Sequence, residues 1–440
     1  MISKIVMTLF VLMSVAYAFV TLKSAATRPV VTTTTTTTTS SSSSSPQRLS
    51  REMTTKVAPM WWDEGEGAYM VILVVGGGVV ELVLDTGSSQ LSVKGQGCMW
   101  RNCEDGDKCT MTKCPCGTSV PLEACEEHYY QPTGRRLMPG ETTGGGMLAG
   151  VSTKMKYGSQ TDTIEHYLDT VAVPVGSHTG DDDDVCTALL QPPNVNMFES
   201  SPSTRYVGEL IVHRVSHIEG TTTSNLLGLA RPNGGNAEHG SHVVLDRLFD
   251  ASGEKVWSMV LYPRGGWLGV GALSCFASSP QLQRIPLIQP DFFKHFLTSF
   301  YVVNVHGIEV GRSFSRLTSV KNIPKYCVID TGTTSTYGSV RLGTSLSRAG
   351  YIPHKSVFRL HLGTPNTSIL TLDYTAPQLV DASGDTILNV WPGQTLDDYD
   401  VIFPNSKGGV LLLGVLMMTN MYWEFDLNTK TIGVSDLRDT

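Results

Sequence analysis

From about Gly67 onward, short runs rich in Val, Ile and Leu alternate with Gly, Pro, Asn and Asp punctuation. Runs of that length between turn residues predict strands joined by turns, so residues 67–440 read as all-β. Residues 1–66 follow another pattern. Lys4 precedes an apolar run over residues 5–18 that ends in Ala16-Tyr17-Ala18. A short positive region, an apolar stretch and a small-x-small site predict a cleaved secretory signal peptide over residues 1–18. The alternative is a signal anchor reaching Leu22, but Thr8, Ser14 and Thr21 interrupt a stretch barely long enough to span a bilayer. Residues 32–39 are all Thr and residues 40–45 all Ser. Such a tract cannot bury enough apolar area to fold, so residues 19–66 read as a disordered linker, an O-glycosylated stalk or a removable pro-segment.

Composition narrows the class. With 440 residues, 41% apolar and 17% charged, the chain can build two to three cored domains. A net charge of −7 without a dense Lys/Arg patch argues against nucleic acid and anionic membrane as partners. No later segment is apolar enough to span a membrane, so the secretory pathway is the expected location. Nine cysteines fit its oxidising chemistry. Six crowd together as Cys98, Cys103, Cys109, Cys114, Cys116 and Cys125, in no standard zinc spacing, so residues 98–125 read as a disulfide-stapled insert. The pairing stays open, and an odd total leaves one thiol free or bonded between chains.

An internal repeat organises the strand-rich region. Glu81-Leu82-Val83-Leu84-Asp85-Thr86-Gly87-Ser88-Ser89 recurs as Tyr326-Cys327-Val328-Ile329-Asp330-Thr331-Gly332-Thr333-Thr334. Each copy has a downstream partner, Leu226-Leu227-Gly228-Leu229 for the first and Leu412-Leu413-Gly414-Val415 for the second. A lone Asp-Thr-Gly is an ordinary turn. Two copies in matching apolar frames with matching partners resemble the pepsin-like aspartic peptidases. The resemblance implies a bilobal all-β fold, with a first lobe over 67–275, a second over 276–440 and a substrate cleft between them.

Within that resemblance Asp85 and Asp330 are the catalytic pair. Two carboxylates within hydrogen-bonding distance cannot both ionise and share one proton. One takes a proton from water that attacks the peptide carbonyl, while the other donates to the developing oxyanion. Gly87 and Gly332 would turn the chain sharply and bring backbone N–H groups to the carboxylates. Ser88 and Thr333 would hydrogen-bond the outer carboxylate oxygens. Lys156-Tyr157-Gly158-Ser159 looks like the tip of the flap, with Tyr157 and Gly158 closing over substrate. Water being the nucleophile, neither metal nor organic cofactor is implied. The expected partner is an extended peptide bound partly as an added strand, and the protein a monomer.

The likeness continues through residues 256–261 and 267–271 and the closing run 411–434. The stretch between Asp85 and Tyr157 is longer than pepsin needs. A cysteine-rich insert there is a feature of nepenthesin-like and plasmepsin-V-like relatives. Ser92 stands where many relatives have a tryptophan that bonds the flap tyrosine, Gln160 where the flap carries glycine, and Val415 in place of an acidic or amide residue.

Several lesser features remain. Cys275 and Cys327 are a candidate disulfide of the second lobe. Asn366-Thr367-Ser368 is a candidate glycan site. The run Asp181-Asp182-Asp183-Asp184 lacks the Gly and Glu of a calcium loop and reads as a solvated loop. His-Glu-x-x-His and Gly-x-Ser-x-Gly elements do not occur. Two rivals to an active peptidase are a catalytically inert pepsin-like binding or inhibitor protein and a stalked cell-surface protein. Both intact Asp-Thr-Gly elements argue against the first.

Overall fold

The computed structural model describes residues 30–33, 56–105, 108–115, 125, 129–138, 142–143, 146–147, 153–157, 160–175, 203–220, 225–230, 255–278, 282–291, 300–381, 383–390 and 409–438. Strands dominate these residues, as the alternation of apolar runs and turn residues predicts. Most belong to two large sheets, of 15 and 9 strands among the described residues. The signal segment 1–18, the aspartate run 181–184 and Gly158 lie outside the described residues.

The larger sheet carries Asp85. Strand Gly78–Asp85 forms hairpin pairs with Ala68–Val75, Met70 facing Val83 and Val74 facing Val79. On its other side Leu226–Gly228 runs parallel to it, in the register Leu226–Val83, Leu227–Leu84 and Gly228–Asp85. The smaller sheet repeats this device. There Val410–Gly414 runs parallel to Tyr326–Asp330, with Leu412 opposite Val328, Leu413 opposite Ile329 and Gly414 opposite Asp330. The repeat read in the sequence is therefore one pairing built twice, each Asp facing the glycine of its Leu-Leu-Gly partner.

The halves of the chain do not map onto separate sheets. Gln283–Pro286, Met421–Asp426 and Thr431–Asp436 all join the larger one, the second pairing with Val256–Tyr262. One apolar cluster spans both sheets, from Leu82, Leu84, Leu91 and Val212 to Trp257, Tyr301, Ile329 and Phe425. Trp257 and Phe425 stack at 4.0 Å between ring centroids, and Tyr301 meets Phe425 edge-on at 4.6 Å. Such aromatic contacts add ~1 kcal/mol each beyond the apolar area they bury.

Four features differ from the sequence expectation. Strand Lys56–Asp63 lies between Gly265–Val270 and Ala68–Val75, with Val57, Ala58 and Met60 buried, so the sheet begins ahead of Gly67. Its partner Gly265–Val270 is some 200 residues away in sequence, and its own polar punctuation comes only after Asp63. Val30–Thr33, which includes the first two threonines of the low-complexity tract, pairs antiparallel with Ser368–Tyr374. β-Branched Val and Thr suit an edge strand even where they cannot build a core. Cys327 is a buried free thiol and Cys275 is disulfide-bonded elsewhere, so the expected Cys275–Cys327 bond does not form. The α-helix Val340–Arg348 is the fourth; Ser339 caps its N-terminus by accepting from Leu342 N–H, and Leu342 and Leu346 face the core.

The cysteine-rich insert extends the sheet. Leu91–Asp105 folds back on Lys108–Lys113, and the Cys98–Cys114 disulfide staples the hairpin under Ile164, Val215 and Ile218. Cys109 and Cys125 are disulfide-bonded as well.

Candidate active site

Asp85 and Asp330 end their buried strands and come together where the two sheets meet. Asp85 is buried and Asp330 half-buried. The carboxyls are hydrogen-bonded to each other. Each is held by its own turn. Gly87 N–H donates to Asp85 Oδ1 at 2.7 Å, and Gly332 N–H donates to Asp330 Oδ1 at 3.0 Å. Glycine is required at both turns for a second reason. A Cβ on Gly87 would sit 2.6 Å from Asp330 Oδ1, and one on Gly332 2.4 Å from Asp85 Oδ1. Each turn thus closes against the other's carboxyl with no room for a methyl group.

The residues between Asp and Gly tie the turns together. Thr86 N–H donates to Thr331 Oγ1 at 3.0 Å, and Thr331 N–H donates to Thr86 Oγ1 at 2.9 Å. The hydroxyls then donate onward, Thr86 to the Ile329 carbonyl at 2.9 Å and Thr331 to the Leu84 carbonyl at 2.7 Å. Both threonines are almost fully buried. Four backbone polar groups flanking the carboxyls are thus paired across the junction. Leaving any one unpaired there costs about 1–3 kcal/mol.

Electrostatics follow from the burial. Desolvation raises the Asp85 carboxyl above the ordinary carboxylate range, partly opposed by the Ser88 hydroxyl and the Gly87 N–H. Desolvation also raises Asp330, and the neighbouring Asp85 charge raises it further. Two adjacent carboxyls in a dry site hold one proton between them. That arrangement has one oxygen able to take a proton from water and another able to give one.

The other residues singled out from the sequence divide clearly. Thr333 Oγ1 donates to Asp330 Oδ2 at 2.6 Å, as the resemblance implies. Ser88 occupies the matching place beside Asp85, close enough to influence its ionisation, yet its hydroxyl forms no hydrogen bond of normal geometry. Tyr157 ends strand Thr153–Tyr157 and pairs with Gln160, the first residue of the antiparallel strand Gln160–Val175. Ser92 is buried between Leu226 and His213 in the strand register. Val415 is fully buried, its N–H donating to the Thr333 carbonyl at 2.8 Å. Asn366 is exposed on the turn joining Val357–Thr364 to Ser368–Tyr374.

Two groups near this region were not anticipated. The reciprocal threonines join residues 245 positions apart, and only the duplication of Asp-Thr-Gly hinted at them. Lys94 on Leu91–Asp105 and Asp162 on Gln160–Val175 are both buried, on strands of the larger sheet that flank Ser203–Glu219. Among the described residues, no three His, Cys, Asp or Glu side chains gather as a metal-binding group, and no helix is long and apolar enough to cross a membrane. No family model matches the chain, and no curated protein matches it.

Proposed function

We propose that this chain is an aspartic endopeptidase of bilobal pepsin-like architecture, hydrolysing peptide bonds with water activated between Asp85 and Asp330. One observation carries the reading. Two carboxyls, each at the end of a duplicated strand, share a hydrogen bond while their turns are locked by Thr86 and Thr331. A structural pair of acids would not need so exact a duplicate on both sides. Raised ionisation keeps one proton on the pair well above the usual carboxylate range, the state the chemistry requires.

Other features support the same reading. The pair Thr153–Tyr157 and Gln160–Val175 lies at the edge of the Asp85 sheet, as a flap would, with Tyr157 ending the first strand. In this reading Tyr157 and Gly158 would close over substrate. The Cys98–Cys114 bond suits a secreted chain and a nepenthesin-like or plasmepsin-V-like insert. Lys56–Asp63 lies between two strands of the Asp85 sheet, which favours a pro-segment boundary ahead of Lys56.

The test uses the chain without residues 1–18, assayed on a mixed peptide library from acid to neutral pH beside Asp85→Asn and Asp330→Asn. Cleavage lost in either variant, with folding retained, supports the reading. Cleavage surviving in both, or absent from a folded wild type that has been trimmed to the Lys56 strand, refutes it in favour of an inert binding scaffold.

A further inference from the structure

Tyr301 lies at the junction of the two sheets, fully buried, as the first residue of strand Tyr301–Ser313. In the smaller sheet it faces Ile329, the residue before Asp330. Its hydroxyl reaches across to the larger sheet and donates to the Leu229 carbonyl at 2.7 Å. It also accepts from Trp257 Nε1 at 3.0 Å. Leu229, in turn, donates its N–H to the Asp85 carbonyl at 2.7 Å. A continuous run of short contacts therefore leads from the strand beside Asp330 to the backbone of Asp85, separate from the threonine lock.

Its geometry has a distinct consequence. The threonines fix the two turns against each other at the level of residues 86 and 331. Tyr301 instead holds the Leu229 segment, which follows Leu226–Gly228 and supports Asp85 from below. Phe425 packs edge-on against the ring, so the hydroxyl has little freedom to follow a displaced carbonyl. A phenol that spans two sheets in this way sets the height of one carboxyl relative to the other.

We infer that Tyr301 is a positioning residue for the carboxyl pair, acting through Leu229 on Asp85. The inference rests on the peptidase reading and deepens it. Removing the hydroxyl alone lets the Leu229 segment drift and loosens the hydrogen bond between the carboxyls. A displacement of about 1 Å at reacting groups is enough to slow catalysis about a hundredfold, and a smaller one proportionately less.

The experiment compares wild type, Tyr301→Phe and Trp257→Phe at low temperature, with rates normalised to the folded fraction from near-ultraviolet circular dichroism. Tyr301→Phe keeps the ring and deletes the bond to Leu229. Trp257→Phe deletes the other bond to the same hydroxyl and leaves the Leu229 contact in place. The expected result for Tyr301→Phe is a kcat lower by about tenfold to a hundredfold with KM little changed. The basic limb of its pH profile should move to lower pH, because a looser pair surrenders its shared proton sooner. Trp257→Phe should lower the unfolding temperature but keep kcat and the pH profile near wild type.

Equal kcat and pH profile in wild type and Tyr301→Phe would overturn the inference, as would matching losses in both variants. A Tyr301→Phe chain that cannot fold would also overturn it, by assigning the hydroxyl to the fold instead of to the pair. Loss of cleavage in Asp85→Asn, measured first in wild-type background, secures the peptidase reading. The Tyr301 outcome then bears on the positioning role alone.

Discussion

Asp162 offers a sharp test of how burial governs this sheet. It is 3% exposed, on strand Gln160–Val175, and accepts from Gln160 Nε2 at 2.6 Å. Burial raises its carboxyl to about 6, with the Gln160 bond and the Lys94 charge opposing the rise. Lys94 is held down to about 8 by burial, and its Nζ donates to the Pro115 carbonyl at 2.6 Å. In the unfolded chain Asp162 returns to the ordinary aspartate value. Between that value and about 6 the folded protein keeps a proton that the unfolded chain has released. The protonated carboxyl therefore contributes stability in acid that is lost as pH rises through about 6. A shift of about 2 pK units corresponds to ~3 kcal/mol. Asp162→Asn is neutral at every pH, and its amide oxygen can still accept from Gln160. Relative to wild type, the variant should gain ~3 kcal/mol between pH 4 and pH 7, read from urea unfolding midpoints and slopes at each pH. Parallel stability curves for the two proteins would refute the reasoning. A variant that loses ground as pH rises would show that attraction to Lys94 outweighs desolvation.

Three other substitutions or treatments probe the junction. Thr331→Val deprives the Leu84 carbonyl and the Thr86 N–H of partners and should cost about 2–4 kcal/mol; a double-mutant cycle with Thr86→Val should show strong coupling, and simple additivity would contradict the lock. Gly332→Ala would place a methyl 2.4 Å from Asp85 Oδ1 and should depress kcat by about a hundredfold while the circular dichroism stays native; unchanged turnover would show that the turns do not close as described. Cys327 is buried and its thiol is pushed far above the ordinary range by desolvation, so a small maleimide should label it only as the chain unfolds. Labelling of the native protein at a comparable rate would place that thiol at the surface.

Much of the site was legible because it is written twice. Leu-Val-Leu-Asp and Cys-Val-Ile-Asp are apolar runs ending in an acid, and each finds a Leu-Leu-Gly strand in the same register. What one copy leaves ambiguous, the other resolves. The Thr86–Thr331 lock was not legible, since neither residue differs from an ordinary turn threonine until its counterpart faces it. Lys94 and Asp162 escaped for another reason. Alternation places polar residues on the solvent face of a strand, but here the even positions of residues 160–166 face inward, bringing Gln160, Asp162 and His166 with them. The helix Val340–Arg348 holds Gly343, Ser345 and Ser347, all weak helix formers, so only its Ser339 cap and tertiary packing specify it. Cysteine spacing could not show that Cys327 stays reduced, because its isolation depends on where the strands of distant segments place it.

The order of strands in the larger sheet sets a schedule for a chain made from its N-terminus. Met421–Asp426 lies against Val256–Tyr262, and Thr431–Asp436 lies beyond it, carrying the edge strand Gln283–Pro286. Val410–Gly414 is the direct neighbour of the strand that presents Asp330. While the ribosome still holds these last segments, the Asp330 turn has no floor and the aromatic stack lacks Phe425. Asp85 could be fully folded in its hairpin by then and still face no partner. The carboxyl pair thus depends on residues 410–436 having joined the sheets, and a chain lacking them cannot present it in this form.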